Sequence, residues 1–271
     1  MSTATTALPS PVGVSVARAK VEILEFFRQR EQLVFTLLFP VLLLLIFGAV
    51  LNRDIAPGVT FIQYFTAGIV AAGVLSASFQ NLSITISLER SEGLLKRLAG
   101  TPMPKSAYFL GKVAQVLVVN VLTTVLLLAV AAGVYGVDLP TSVGKWVTFV
   151  WVSLLGLLAC ALSGIAFSSL IKNGKTAPAV VSPLAIVLQF ISGVFFQFSS
   201  LPGWMQSVAS IFPLKWMAQG MRSVFLPESF ASTEPAGTWE LGRIALFLGL
   251  WSVGALVLCV LFFRWRDRAD G

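Results

Sequence analysis

Residues 169–176 read Ser-Leu-Ile-Lys-Asn-Gly-Lys-Thr and end as a phosphate-binding loop ends. Such a loop needs an earlier glycine, whose place Ser169 takes, and a strand before it, where this chain has a long apolar run. Lys172 and Lys175 therefore read as charges at a membrane surface and not as phosphate ligands. The chain has no histidine, which removes the usual general base, the usual metal ligand and the Ser-His and Cys-His nucleophile pairs. Its two cysteines, Cys160 and Cys259, sit in apolar runs and read as packing residues. Asn81-Leu82-Ser83 fits a glycosylation sequon but falls inside an apolar segment, so it is a chance match. No catalytic residue, metal site or nucleotide site is expected, and the chain does not read as an enzyme.

Three polar patterns remain. In residues 14–31, Arg18, Glu22, Glu25 and Gln29 share one helical face and Val16, Ala19, Ile23, Phe26 and Phe27 the other. This predicts an amphipathic helix lying flat in a headgroup layer, either as a plain anchor or as a lever that contacts a partner. Leu88–Pro102 places Glu89, Glu92 and Lys96 on one face and Leu94, Leu95 and Leu98 on the other, and Gly100 with Pro102 stops it. The spacing predicts a short charged helix over 89–100, read either as a solvated turn or as a rigid body for a socket on a soluble protein. The third pattern is neutral: Gln63, Ser76, Ser78, Gln80, Asn81, Ser83, Thr85 and Ser87, followed by Gln115, Asn120, Thr123 and Thr124. These residues either bond helix to helix or line a path, which a dimer seam would suit.

The elements that carry these residues follow from composition. Hydrophobic residues make up 56% of the 271 and charged ones 11%, against ~25% charged in soluble domains. Mean hydropathy is +0.87. So few charges cannot cover a soluble surface, and the chain reads as an all-α polytopic membrane protein. Apolar runs of the roughly 20 residues that a bilayer requires occur at about 33–51, 61–88, 108–136, 146–171, 178–198 and 241–263. Fourteen of the 19 Lys and Arg residues fall on one side of these spans. They are Arg18, Lys20, Arg28, Arg30, Arg90, Lys96, Arg97, Lys105, Lys112, Lys172, Lys175, Arg264, Arg266 and Arg268, and they predict cytoplasmic termini. Trp146, Trp204, Trp216 and Trp239 are expected in an outer interfacial belt. Residues 1–13 read as a disordered leader with no cleavable signal, and 14–271 as one membrane domain without internal repeats.

No charged side chain falls near the middle of a span; Glu89, Asp138 and Glu240 lie at span ends. A proton- or sodium-driven carrier usually needs such a group, so work against a gradient would draw on another subunit. Residues 201–225 are apolar but interrupted by Pro202, Pro213, Lys215 and Arg222, which predicts two short helices split at Pro213. Pro178 and Pro183 permit a kink in the fifth span.

The run Glu89-Arg90-Ser91-Glu92-Gly93, continuing into Leu98-Ala99-Gly100-Thr101-Pro102 and Tyr108-Phe109-Leu110-Gly111-Lys112, resembles the permease subunits of type 2 ABC exporters, the group of the daunorubicin-resistance permeases. The six-span plan, the amphipathic N-terminal helix and the broken segment before the last span extend the resemblance over nearly the whole chain. It implies a homodimer paired with two cytoplasmic ATPase subunits that carry ATP and Mg, in a bacterial inner membrane, with no cofactor on this chain and no nucleic-acid partner. It implies that Glu89, Arg90, Glu92, Gly93, Lys96, Leu98, Thr101 and Pro102 form the coupling helix. It departs from the family pattern at Leu94, where Thr is frequent, and at Lys96, where an acidic residue is common. It also implies that 201–225 is a re-entrant hairpin; resting on the membrane surface is the alternative reading of that segment. Gln80, Asn81, Trp204, Pro213, Trp216 and Met217 become pathway or gate candidates. The absence of charge in the spans suits export of an amphipathic drug-like or lipid-like molecule. A lipid-linked polysaccharide is the rival cargo, and a membrane scaffold the rival outside transport.

Overall fold

A computed structural model describes residues 10–51 and 53–263. Most of the expected leader lies outside these residues, as do Arg264, Arg266 and Arg268. In chain order the helices are α1 (Pro11–Arg28), α2 (Arg30–Leu51), α3 (Phe61–Leu75), α4 (Asn81–Ser91), α5 (Leu94–Ala99) and α6 (Lys105–Tyr135). They continue as α7 (Val143–Ser168), α8 (Ala177–Ile191), α9 (Gly203–Ala209), α10 (Pro213–Phe225) and α11 (Leu241–Phe262). Strands β1 (Asp54–Ala56) and β2 (Val59–Thr60) make a small antiparallel hairpin between α2 and α3. Six of the described segments are long and apolar enough to cross a membrane: α2, α3 with α4, α6, α7, α8 with the turn before it, and α11.

Local chemistry sets the boundaries. Ser10 Oγ accepts from Gly13 N–H and Pro11 fills the first turn, so α1 starts three residues ahead of the predicted 14. It stops at Gln29 instead of 31, and the break lets it lie along α6. Thr60 and Gln63 form a reciprocal cap at the start of α3. Between α3 and α4, Ser76–Gln80 forms a π-turn, so the second span is a continuous helix with one wide turn in it. The predicted fifth span is corrected at its end. It stops at Ile191 and the chain then turns through Gly193, which has a left-handed φ of 76°.

The single helix predicted over 89–100 is also corrected. Glu89–Ser91 complete α4, Gly93 takes a left-handed φ of 73°, and α5 starts afresh at Leu94. The kink separates Glu89 from the face that carries Lys96. The broken segment after α8 does split as expected, with α10 starting at Pro213.

A buried α10 forms the centre of the bundle, against α3, α7 and α11, and every one of its residues is buried. Protein thus covers it on every face. Glycines permit the close approach to α7: a Cβ on Gly156 would lie 2.2 Å from Met217 Sδ, and one on Gly220 would lie 2.9 Å from Val152. The tryptophan belt is corrected in two places. Trp216 is buried, stacked on Phe247 at 4.3 Å, and Trp239 is buried and donates to Glu228. Trp204, 65% exposed, and Trp146 do reach the outside of the bundle.

Candidate functional site

Three features along the bundle axis bear on function. The first lies at the end where the two described termini meet. Phe263 packs on Phe109 near the start of α6, and Arg18 of α1 lies against Gly111. Glu89 accepts from Tyr108 Oη at 2.6 Å and pairs with Lys112, which also reaches Glu22 of α1 at 2.8 Å. Arg18 pairs with Glu22, one helical turn away. Arg90 donates to the Ser168 carbonyl at 2.8 Å and lies over the Phe263 ring. A Cβ on Gly174 would meet the Ser87 carbonyl at 2.4 Å, so the turn after α7 is wedged against α4. These contacts tie α1, α4, α6 and α7 into one block.

The candidate coupling residues therefore separate into two groups. Glu89 and Arg90 are buried and bonded within the chain, whereas Glu92, Lys96, Arg97, Thr101 and Pro102 are exposed on the elbow around α5. Leu95 anchors that elbow in the core, with Gly93 and Leu98 partly covered. On α1, Glu22 and Phe26 point inward while Glu25 and Phe27 are exposed. Glu22 thus leaves the polar outer face expected of it, because Lys112 offers a partner inside.

The second feature is a cavity of about 740 Å³ between α2, α3, α4, α6 and α8. Chain direction along each helix shows that it runs lengthwise. Phe26, Phe35 and Ile84 stand at the α1 end, and Phe47, Ile69 and Phe195 at the far end. Its wall is aromatic and aliphatic, with neutral polar groups at mid-depth: Ser76, Gln80, Asn81, Thr123 and Gln189. None of the described lining residues is charged. The π-turn delivers Ser76 and Gln80 to this wall, and π-turns inside α-helices recur at functional sites. Gln80 donates to Ser182 on α8 at 3.1 Å, so it both bonds helix to helix and lines the cavity.

The gate candidates divide. Gln80 and Asn81 line this cavity, but Pro213 belongs to a separate apolar crevice of about 1080 Å³ on the α7, α8 and α11 side, and Trp216 and Met217 pack against α11 and α7. Trp204 lines neither. Phenylalanines that sequence periodicity did not single out stand together at the far end of the cavity instead. Phe195 lies 4.7 Å from Phe190, 5.8 Å from Phe65 and 5.8 Å from Phe47, measured between ring centres.

The third feature is a buried charge cluster beyond that end. Arg222 of α10 is 0% exposed and holds Glu234 with two nitrogens, at 2.6 and 3.1 Å. Lys215 donates to Gln219 at 2.6 Å, and Gln219 in turn donates to the Trp239 carbonyl. The spans are therefore empty of charge near the middle, as expected, but buried carboxylates do occur at both ends of the bundle, as Glu22, Glu89 and Glu234.

Comparison with known proteins agrees with this architecture. The sequence pattern of the family described as ABC-2 type transporter matches residues 16–226. The chain belongs to the ABC-2 type transporter family. Among its relatives is the inner membrane transport permease YadH of Escherichia coli, 26% identical over 193 residues that cover 67% of this chain and 70% of YadH. The transport permease YvfS of Bacillus subtilis, a putative assignment in its own name, is 23% identical over 71% of this chain and 77% of its own. YbhR of Escherichia coli, named a probable multidrug ABC transporter permease, is 22% identical over 59% of this chain and 42% of its own length. The match to the ABC-2 family covers α1, the elbow, the cavity walls and α10 together.

Proposed function

We propose that this chain is the membrane subunit of an ATP-driven exporter in a bacterial inner membrane, with its termini in the cytoplasm. It pairs with a second copy of itself and is driven by two separate ATPase subunits that bind ATP and Mg. The cargo is an uncharged, amphipathic, drug-like or lipid-like molecule. The observation that carries this reading is the lengthwise cavity, apolar in its walls, polar but uncharged at mid-depth. Such a lining offers stacking and hydrogen bonds to a neutral molecule and a large desolvation cost to an ion. A volume of about 740 Å³ also sits in the range of drug-sized sites, ~300–1,000 Å³. That favours a small cargo over a lipid-linked polysaccharide.

The energy enters at the elbow. Glu92, Thr101 and Pro102 are exposed beside Lys96 and Arg97 on a short helix, and the block of buried charges behind it joins α4 to α1 and α6. A push on α5 would move those helices together, and α4 and α6 both carry cavity wall. Pull-down from native membranes should recover a nucleotide-binding subunit of ~25–35 kDa, the size of a one- or two-domain protein. The complex should hydrolyse ATP faster with cargo than without. Recovery of the chain with no ATPase, or uphill accumulation by the chain alone under a pH or sodium gradient, would overturn the reading.

A further inference from the structure

Gly193 sits where α8 ends, and its carbonyl oxygen is gripped from two sides. Tyr64 Oη lies 2.9 Å from it and Arg222 Nη1 donates to it at 3.2 Å. Tyr64 Oη is also 2.9 Å from the Phe196 carbonyl and accepts from Phe198 N–H at 3.2 Å. The turn 193–198 is thus pinned to α3 and to α10 through its backbone. The fit allows no slack: a Cβ on Gly193 would lie 2.9 Å from Phe198 and 3.3 Å from Arg222, and one on Gly68 would lie 2.7 Å from the Val194 carbonyl. Phe195, in the middle of this turn, carries the ring that meets Phe47, Phe65 and Phe190 across the end of the cavity. The grip depends on Arg222, and Arg222 is oriented by Glu234 from the loop before α11.

A buried ion pair is a poor way to gain stability, because apolar residues of the same volume often serve as well or better. Its strength is direction: the guanidinium presents a fixed fork, so two nitrogens committed to Glu234 aim a third at one carbonyl. We propose that Arg222 and Glu234 form the latch of the cavity's outer gate. They hold the Gly193 turn so that Phe195 closes the cavity, and cargo leaves when that grip opens. Arg222 is a positioning residue acting through Gly193 on Phe195. The proposal rests on the transport reading for its meaning, but its test needs neither ATPase nor cargo.

The test uses a membrane-impermeant maleimide on whole cells or inverted vesicles that carry the full chain with Cys160 and Cys259 replaced by alanine. Ser76→Cys reports from the cavity wall below Phe195. Ser232→Cys, on the exposed loop beside the latch, shows which side to treat. A third reporter, Thr124→Cys on α6, monitors general loosening. With the latch intact, S76C should label slowly. Arg222→Lys keeps the charge but loses the fork, and Glu234→Gln keeps the shape but loses the charge. Each should speed S76C labelling several-fold from the S232C side and leave T124C unchanged. Should both variants fail to insert, Phe195→Ala serves, since it removes the ring without touching the ion pair and should speed S76C alike. In the double variant F195A/R222K the rate should match F195A alone, as expected of two parts in series. Unchanged S76C labelling in inserted variants, an equal rise at T124C, or a double-variant rate that multiplies the two single effects would overturn the latch. Labelling of S232C from the cytoplasmic side would instead overturn the proposed orientation and leave the gate readable from that side.

Discussion

Lys112 of α6 and Glu22 of α1 form an ion pair at 2.8 Å in which each side chain is only 2% exposed. With Glu89 on the other side of the ammonium, the lysine joins a surface helix to two spans. Removing one member of a buried pair strands the other charge, at a cost of about 3–5 kcal/mol. Lys112→Met should therefore lower the stability of the purified chain by about that amount, read as loss of monodisperse protein on heating in detergent. The double variant K112M/E89Q, in which Glu22 keeps Arg18 as its partner, should recover much of the loss.

Glu89 and Glu92 are three residues apart, and only one of them faces outward. Glu92→Lys should leave heat stability within about 0.5 kcal/mol of wild type, as for other exposed sites, while weakening capture of the ATPase subunit. Glu89→Lys should reverse the pattern, with a poorly inserted chain and no fair measure of docking, since it sets an extra cation beside Lys112. Parallel pull-down and thermal unfolding of the two variants check this.

The distinction shows what the sequence could reveal. The spans, the charged segment after the second of them, the split at Pro213 and the neutral run in the second span are properties of local periodicity and of helix stops, and they are legible. That Glu22 and Glu89 share one lysine was not, because the pairing joins residues 90 and 23 positions apart and periodicity sees only neighbours on one helix. The break at Gly93 carried a signal, a glycine inside a helical pattern, that favoured a stop over a continuous face. Phe195 is illegible for a different reason: its apolar run continues that of α8, but the helix stops at Ile191 and only the turn at Gly193 gives the ring its place. Thr60 and Gln63 have the spacing of a reciprocal cap, which the structure forms.

Gly164 of α7 lies against the π-turn, where a Cβ would approach the Phe79 carbonyl to 2.8 Å. Backbone cannot yield as a flexible side chain does, so Gly164→Leu should destabilise by ~1–3 kcal/mol through overpacking. Gly249→Leu, with nothing within 4 Å of its Cβ position, is the matching control. Thermal unfolding in detergent compares them.

Lys215 lies outside the six spans, and burial, helped by Arg222, pushes it down to about 8 against the opposing pull of Glu234 and Glu240. A cation whose folded value is below its unfolded one binds fewer protons when folded. Its contribution to stability therefore rises with pH from about 8 up to the ordinary lysine value of 10.5. Wild type should gain on Lys215→Met across that window, and the gap between them should be flat below it. Thermal melts of both chains between pH 7 and pH 10 would show it; a constant difference would refute it.

The wide turn at Ser76–Gln80 has a consequence for phase. One residue more than an α-turn holds rotates everything below it by roughly 100° relative to everything above. The upper half of the second span is thereby registered to the Gly193 turn, and the lower half, independently, to Lys112 and Ser168. Deleting a single residue there would bring the halves back into step and swing Glu89 and Arg90 away from their partners together. Insertions and deletions at this point of the chain are thus tied to the charge block at its inner end.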